Sequence, residues 1–96
     1  MIEINPIELK NGIAVGIKVV LPKAPLILIV GKKGFLMCGY LNIQAVEKLN
    51  VAAAMVTGVS NFEDVLKAEV KSVSSEAKKL GIIEGMSGKE VLEKLV

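Results

Sequence analysis

The chain has 96 residues, of which 52% are hydrophobic and 23% charged, and a formal net charge of +2 at pH 7. Lysine supplies all the positive side-chain charge, because the sequence contains neither arginine nor histidine. The absence of histidine excludes a Ser-His-Asp triad and an imidazole metal ligand, and the absence of arginine excludes a guanidinium clamp for carboxylate or phosphate. A single cysteine excludes an intrachain disulfide.

Size and composition also limit the organisation and the partners of the protein. They predict one domain over residues 1–96 with a modest core. The aliphatic content exceeds what one small core absorbs, so we expect a homo-oligomer. No apolar run approaches the roughly 20 residues that span a membrane, and no signal peptide is recognisable, so we expect no membrane partner. Scattered lysines and 3% aromatic residues predict no nucleic-acid partner, and the lone cysteine favours a cytoplasmic location.

The first twenty residues predict a β-hairpin. Residues 1–9 alternate apolar and polar side chains, which is typical of a half-buried strand, and Pro6 indicates either a strand at a sheet edge or a strand with a break in its middle. The Asn-Gly pair at 11–12 is a strong hairpin signal and predicts a tight turn into a second strand at 13–21. Gly16 within the second strand indicates a bulge or a close approach by another backbone.

Two further strands complete an antiparallel meander. Residues 26–30 form an unbroken aliphatic run, which predicts a central strand covered on both faces. A glycine-bounded turn at 31–34 then leads into a fourth strand at 35–38.

After the meander the apolar residues change to helical spacing. They predict a helix over 42–49, with Asn42 as its N-cap and Asn50 in the left-handed position that follows a helix. Small apolar residues at 51–57 predict a fifth strand. A strand, a helix and a strand with short links form a βαβ unit, so we expect the fifth strand to run parallel to the fourth.

The last third of the chain predicts helices. Ser-x-x-Glu patterns that begin at Ser60 and Ser87 fit the capping box, and the first of these helices ends near Lys67. An apolar stripe over 70–80 predicts a further helix closed by Gly81. The predicted fold is α+β: a mixed, mostly antiparallel five-strand sheet, built from a four-strand meander and a βαβ crossover, with C-terminal helices packed on it.

A set of short motifs keeps a recognisable order and spacing along nearly the whole chain. The motifs are Leu21-Pro22-Lys23, Gly34-x-x-Met37-Cys38-Gly39, Gly58-Val59 and Ala77-x-x-Leu80-Gly81-Ile82-x-x-Gly85-Met86-x-Gly88-x-Glu90-x-Leu92. In these motifs the sequence resembles the YunC-like family of small bacterial and archaeal proteins. The resemblance implies a small cytoplasmic α+β domain. The family is a domain of unknown function, so it implies no reaction, substrate or catalytic residue.

The end of the fourth strand is the candidate site. Ligands of βαβ units usually bind at the carboxyl ends of strands, and the free N–H groups of a helix start favour an anion or a thiolate. We therefore predict a small anion-binding or reactive pocket here, completed by one of the two turn lysines. The predicted ligand-binding residues are Cys38, Gly39, Tyr40, Asn42, Lys32 and Lys33. The alternatives are that Cys38 is simply a small buried hydrophobe, and that lysines at a hairpin tip serve solubility.

Other chemistries lack the residues that they need. Gly34 and Gly39 have the spacing that opens a P-loop, but Tyr40 and Leu41 stand where Lys and Ser/Thr are required, which excludes nucleotide hydrolysis. With no histidine and no Asp-x-Asp-x-Asp-Gly loop, the sequence predicts no metal site and no cofactor.

Three functions therefore remain open on sequence alone. The first is a small-molecule or anion-binding module with a pocket near residues 38–42. The second is a cysteine-dependent enzyme, in which Cys38 is a nucleophile activated by lysine and the helix dipole. The third is a structural homo-oligomer subunit without a pocket.

Overall fold

The structure is a computed structural model that describes all residues from 1 to 96. Six strands form one mixed sheet in the order of the sequence, and four helices pack against it. The elements in chain order are β1 (Ile2–Leu9), β2 (Gly12–Val19), β3 (Leu26–Val30), β4 (Gly34–Met37), α1 (Ile43–Lys48), β5 (Ala52–Met55), α2 (Phe62–Lys67), β6 (Ser72–Val73), α3 (Ser75–Lys79) and α4 (Gly88–Leu95).

β1 and β2 form the predicted hairpin, but the turn lies one residue earlier than the Asn-Gly signal indicates. Leu9 pairs with Gly12. Lys10 and Asn11 are therefore the two turn residues, and neither has the positive φ of a type I′ turn. The carboxylate of Glu93 in α4 accepts hydrogen bonds from the backbone N–H groups of Lys10 (3.0 Å) and Asn11 (3.2 Å). A tertiary contact thus overrides the local turn preference.

The segment from β4 through α1 to β5 confirms the predicted βαβ unit, because β4 and β5 are parallel neighbours. The two strands approach very closely at their amino ends, where Gly34 pairs with Ala52. A Cβ atom on Gly34 would collide with the carbonyl oxygen of Ala52. Only glycine therefore fits at the start of β4.

A sixth strand replaces the first part of the helix predicted over 70–80. Ser72 and Val73 pair with Met55 and Ala54 along the free edge of β5. The free backbone groups on that edge of β5 form hydrogen bonds with the segment that contains Ser72 and Val73, and these bonds replace the ones that a helix would form within itself. The predicted count of five strands is therefore wrong by one. The α+β class is confirmed, and four of the five strand pairs are antiparallel, so the sheet is mixed and mostly antiparallel as predicted.

The caps of the helices follow the sequence signals with one shift. Asn42 caps α1, and Asn50 has a φ of 56°, as predicted. Ser87 and the third residue of α4 form the predicted capping box. In α2, however, the N-cap is Asn61 rather than Ser60, because the amide oxygen of Asn61 accepts the hydrogen bond from the helix N–H.

The two faces of the sheet are covered unequally. The first face carries the main core, and β3 contributes Ile27 and Ile29 to it beneath α2, α3 and α4. The second face carries a small cluster, in which α1 packs over β4 and β5. Leu28 and Val30 of β3 point to this second face and are only half-buried. The prediction that the third strand is covered on both faces is therefore wrong.

The close approach at Gly16 has a different partner from the one predicted. A Cβ atom at this position would lie 2.8 Å from the ring of Phe62 in α2. Gly16 thus admits an aromatic side chain of the main core rather than another backbone.

Two side chains anchor α3 to the rest of the fold. Ser74 is fully buried; its hydroxyl donates to the carbonyl of Val51 (2.8 Å) and accepts from the N–H of Ala53 (2.9 Å). The Glu47 carboxylate of α1 accepts from the N–H of Ser75 (2.6 Å) and from its hydroxyl (2.7 Å). These bonds hold the start of α3 against β5 and α1.

No helix of this protein combines the length and the apolar character that crossing a membrane requires.

We expect Gly34→Ala to lower the free energy of unfolding by about 3 kcal/mol, because a rigid backbone carbonyl occupies the space of the new methyl group. Gly39→Ala is the matched control: a Cβ there meets only the Thr57 methyl group, at an ordinary 3.6 Å, so the loss stays below about 1 kcal/mol. Urea unfolding followed by circular dichroism measures both values. Equal losses in the two variants would contradict the tight approach of β4 and β5.

The contact between Glu47 of α1 and Ser75 at the start of α3 depends on pH. The hydrogen bonds from the Ser75 hydroxyl and then from the Ser75 N–H lower the pKa of Glu47 below its ordinary value of 4.5. Because the pKa is lower in the folded chain than in the unfolded chain, the stabilisation is fully present above pH 4.5. It is lost as the pH falls through the lowered folded-state pKa.

We therefore expect Glu47→Gln to lower the melting temperature at pH 7, and the difference from the parent chain to shrink as the pH falls below 4.5. Glu84→Gln is the control, since Glu84 is exposed in the connection between α3 and α4 and makes no hydrogen bond or ion pair. Melting curves between pH 3 and pH 7 measure the effect. A difference that stays constant across this range would rule out a charge-dependent contact.

Candidate functional site

A cavity of about 270 Å³ lies where β4 and β5 end. Three segments of the chain surround it: the end of the connection from β2 to β3, the residues that follow β4 and the residues that follow β5. The lining residues are Ala24, Pro25, Cys38, Gly39, Tyr40, Thr57, Gly58 and Val59.

The topology of the sheet explains why a cavity opens here. After β4 the chain passes to α1 on the second face of the sheet, whereas after β5 it passes to α2 on the first face. Two neighbouring parallel strands thus send their chains to opposite sides, which leaves a crevice outside their carboxyl ends. This is the position at which open sheets with parallel strands bind ligands.

Cys38 lies at the boundary between the cavity and the main core. Its side chain lines the cavity, yet only 4% of the residue is exposed. Its backbone N–H donates to the carbonyl of Ile27 (3.1 Å), and the N–H of Ile27 donates to the Cys38 sulfur (3.3 Å). No lysine or carboxylate lines the cavity, so the thiol has no neighbouring group to act as a general base.

Tyr40 forms one wall of the cavity and is half-exposed. Its hydroxyl donates a hydrogen bond to the carbonyl of Ala24 at 2.9 Å. This bond ties the loop after β4 to the connection between β2 and β3, where Lys23 adopts a left-handed φ of 74°. The ring is therefore held in place at the mouth of the cavity.

Five backbone N–H groups around the cavity have no acceptor within the protein. They belong to Gly39, Tyr40, Thr57, Gly58 and Val59. Gly58 has a φ of 70°, and the space beside its Cα atom is open to at least 4 Å. Successive free N–H groups in such a turn form a concave surface that suits an anion or a carbonyl oxygen. Two of the three segments around the cavity thus carry backbone N–H groups that have no acceptor in the protein.

The structure brings some of the predicted site residues together and separates others. Cys38, Gly39 and Tyr40 all line the cavity. Asn42 lies just beyond it and uses its amide oxygen to accept a hydrogen bond from Gln44, at the start of α1.

Lys32 and Lys33 precede β4, at its opposite end, about 16–20 Å of extended chain away from Cys38. The N–H of Lys33 donates to the carbonyl of Leu95 in α4, and Lys32 lies beside the β1–β2 turn. The two lysines are therefore not part of the cavity.

Sequence reasoning missed the lining residues from the other two segments, namely Ala24, Pro25, Thr57, Gly58 and Val59. A signal existed for the last three, because a fifth strand predicted parallel to the fourth must end at the same edge of the sheet. The turn that contains Ala24 and Pro25 carries no such signal. Its position depends on the register of β3 with β4, which is a tertiary property.

The groups with shifted pKa values serve the fold and not this cavity. The capping box of Ser87 lowers the pKa of Glu90, and the contact with Glu76 raises the pKa of Lys79. Neither residue lines the cavity, and no three His, Cys, Asp or Glu side chains converge to hold a metal ion.

Comparisons with known proteins agree with the resemblance seen in the motifs. The model of a domain of unknown function, DUF1805, matches residues 37–95. The uncharacterized protein YunC of Bacillus subtilis (strain 168) is 33% identical over 100 residues, covering 100% of this chain and 99% of that protein. The crystal structure of TA1206, a protein of unknown function from Thermoplasma acidophilum, superimposes with a TM-score of 0.95 at 40% identity, covering 100% of this chain and 94% of that chain. The chain therefore belongs to the DUF1805 family of YunC-like proteins.

Proposed function

We propose that this protein is a small-molecule-binding module, and that its ligand is a small organic anion held in the cavity at the ends of β4 and β5. The observation that carries the proposal is the combination of a cavity of about 270 Å³ with five free backbone N–H groups around it. Backbone donors of this kind recognise carboxylate and phosphate oxygens without a charged side chain.

The size and the walls of the cavity narrow the class of ligand. A volume of about 270 Å³ is just below the usual range for small-molecule sites, which suits a short metabolite and not a nucleotide. Pro25, Val59 and the ring of Tyr40 provide apolar walls. The ligand we infer has an anionic head on the free N–H groups and a short apolar part against these walls.

Binding with no lysine in the cavity relies on backbone dipoles alone. We expect dissociation constants of about 0.1–1 mM for simple carboxylates, which correspond to about 4–5.5 kcal/mol of binding free energy. Binding of this strength suits a module that responds to the concentration of a metabolite.

A cysteine-dependent enzyme that uses Cys38 is the second candidate, favoured by the position of the thiol in the cavity. The weakness of this candidate is chemical. A thiol nucleophile needs a base or a nearby positive charge, and the only other ionisable side chain in the lining is Tyr40, whose hydroxyl already donates to Ala24. Binding therefore has the stronger support.

A structural homo-oligomer subunit is the third candidate, favoured by apolar side chains that stay exposed on the sheet, such as Ile2 and Ile4. We also propose that residues 1–96 act as one domain, because α4 packs against both β1 and β4. A free cysteine is in keeping with a reducing cytoplasm. The lack of arginine and the scatter of the lysines support the absence of a nucleic-acid partner.

Titration of ¹⁵N-labelled protein with acetate, succinate and inorganic phosphate tests the binding proposal. We expect the amide resonances of Gly39, Thr57 and Gly58 to shift in a saturable way with at least one of these anions. Gly81 and Gly85 provide internal controls, because they are also left-handed glycines in loops but their N–H groups donate to Lys78 and Val70. Shifts confined to the surroundings of lysine side chains, or no shifts at all, would contradict the proposal.

Alkylation of Cys38 separates the binding module from the enzyme. Since only 4% of Cys38 is exposed, we expect iodoacetamide to react at least about tenfold more slowly with the folded chain than with the chain in urea, from pH 5 to pH 9. An anion that shifts the cavity amides should slow the reaction further. Rapid alkylation of the folded chain at pH 6 would instead favour the cysteine-dependent enzyme.

A further inference from the structure

A second cavity lies at the other end of β4 and β5, where the two strands begin. Its volume is about 410 Å³, which is within the usual range for small-molecule sites. Three segments surround it: the turn before β4, the connection from α1 to β5, and helix α3 with its C-cap. We call it the amino-end cavity, and its lining includes Lys33, Asn50, Val51, Glu76, Lys79 and Leu80.

Charge distinguishes the amino-end cavity from the cavity at Cys38. The ammonium groups of Lys33 and Lys79 and the carboxylate of Glu76 belong to its lining. The cavity at Cys38 has no charged side chain in its lining. Two positive charges against one negative charge make the amino-end cavity the more favourable of the two for a strongly charged anion.

The fold fixes the position of the turn that carries Lys33. The N–H of Gly31 donates to the carbonyl of Gly34 (2.8 Å), and the N–H of Lys33 donates to the carbonyl of Leu95 in α4 (2.8 Å). A Cβ atom on Gly31 would collide with the same carbonyl of Leu95, so the turn packs directly against the end of α4. The backbone of Lys33 is therefore held at the rim of the cavity.

The ammonium group of Lys33 has no partner within the protein, because the single ion pair of the chain joins Lys79 to Glu76. Lysines at hairpin tips commonly serve solubility. Lys33 differs from such a residue in that it shares a cavity with a second lysine from a distant helix. Two ammonium groups on one cavity attract an anion into it.

The ion pair on α3 positions the second ammonium group and leaves one acceptor free. The Nζ atom of Lys79 lies 2.8 Å from the Oε2 atom of Glu76, one helical turn earlier. The Oε1 atom of Glu76 accepts no hydrogen bond within the protein. An ionised carboxylate oxygen only accepts hydrogen bonds, so Oε1 suits a hydroxyl group of a ligand.

Asn50 adds a neutral polar group on the third segment. It has a left-handed φ of 56° directly after α1, at a position where glycine is the usual residue. The asparagine side chains that form hydrogen bonds are those of Asn11, Asn42 and Asn61, so the carboxamide of Asn50 is free. The backbone N–H of Val51 also has no acceptor. Both groups donate well to phosphate oxygens.

These groups together match a phosphomonoester that carries hydroxyl groups. A phosphomonoester has a charge of about −1.5 to −2 at pH 7 and three strong acceptor oxygens. The two ammonium groups balance that charge, and Asn50 and Val51 supply further donors. The free oxygen of Glu76 accepts from a hydroxyl group, and the side chain of Leu80 provides an apolar wall for the carbon chain.

We propose that the amino-end cavity is a second binding site, and that it takes a small phosphorylated polyol such as a sugar phosphate. The phosphate lies between Lys33 and Lys79 with Asn50 as a further donor, and a hydroxyl group of the ligand donates to Glu76. About 13 Å of strand separates this site from the cavity at Cys38. The proposal therefore does not depend on which ligand that other cavity binds.

Titration of the ¹⁵N-labelled full chain with α-glycerophosphate tests the proposal. We expect saturable shifts of the amide resonances of Lys33, Asn50 and Val51, with a dissociation constant of about 0.1–1 mM. Methyl phosphate is the comparison ligand, because it has the same phosphate group and no hydroxyl group. It should bind at the same amides at least about fivefold more weakly. Glycerol without phosphate should cause no shifts.

Substitution of each lysine by glutamine tests the role of the ammonium groups. Lys33→Gln and Lys79→Gln should each raise the dissociation constant of α-glycerophosphate at least about fivefold, because each removes a charge-assisted hydrogen bond. Lys67→Gln is the matched control, since Lys67 also lies in the last turn of a short helix but lines no cavity. Its dissociation constant should stay within about twofold of the parent value.

All three lysines are exposed, so the variants should keep the circular dichroism spectrum and the melting temperature of the parent chain. This separates loss of binding from loss of folding.

Two further variants test the neutral donor and the acceptor. Asn50→Gly keeps the left-handed backbone and removes the carboxamide, so it should raise the dissociation constant of α-glycerophosphate at least about threefold while the chain stays folded. Glu76→Ala removes the acceptor for the hydroxyl group. It should reduce the preference for α-glycerophosphate over methyl phosphate to within about twofold, and methyl phosphate should bind no more weakly than it binds to the parent chain.

Three results would overturn the proposal. The first is an absence of saturable shifts at Asn50 and Val51, or shifts that Lys67→Gln weakens as much as Lys33→Gln does. The second is equal affinity of the parent chain for α-glycerophosphate and methyl phosphate. The third is binding to vesicles that contain phosphatidic acid, without binding of α-glycerophosphate, which would assign the lysines to a membrane surface.

The proposed carboxylate site at Cys38 is judged from other resonances, those of Gly39, Thr57 and Gly58. Shifts at these three amides alone would support that site and contradict this one, and shifts at Asn50 and Val51 alone would do the reverse.

Discussion

The parallel pairing of β4 with β5 is the constraint on which the rest of the structure depends. It forces the chain to cross over through α1, and it requires the close backbone approach that glycine at position 34 permits. It also brings the carboxyl ends of two strands to one edge, from which the chain departs to opposite faces. The candidate cavity is a direct result of this pairing, because Cys38 and Thr57 follow the two strands at that edge.

The two faces of the sheet are covered unequally because the helices that pack on them differ in number and length. The C-terminal helices supply enough apolar surface to bury one face, and α4 reaches as far as the β1–β2 turn through Glu93. The second face receives only α1, a helix of 6 residues. A helix this short spans about 9 Å and cannot shield a sheet of six strands. The surplus of aliphatic residues evident in the composition is therefore concentrated on β1, β2 and β3.

The candidate site was predictable in part. The rule that ligands bind at the carboxyl ends of strands pointed to the edge where Cys38, Gly39 and Tyr40 line a cavity. Proximity in sequence was a poor guide to the remaining members. Lys32 and Lys33 are only a few residues away, but an extended strand carries them to the far edge of the sheet. Thr57, Gly58 and Val59 are distant in sequence and arrive through the parallel pairing.

The sequence by itself determined the α+β class, the hairpin, the βαβ unit and most helix caps, because these depend on side-chain periodicity and on bonds between residues a few positions apart. Only the tertiary structure decided the turn at Lys10 and Asn11, the strand β6 and the uncovered half of the sheet. Each of these depends on a group remote in the chain, such as Glu93, 83 residues from the N–H of Lys10 that it binds, or the free edge of β5. A hydrogen bond to a partner distant in sequence outweighs a local preference of the backbone. The pattern of residues along the chain does not show where that partner will lie.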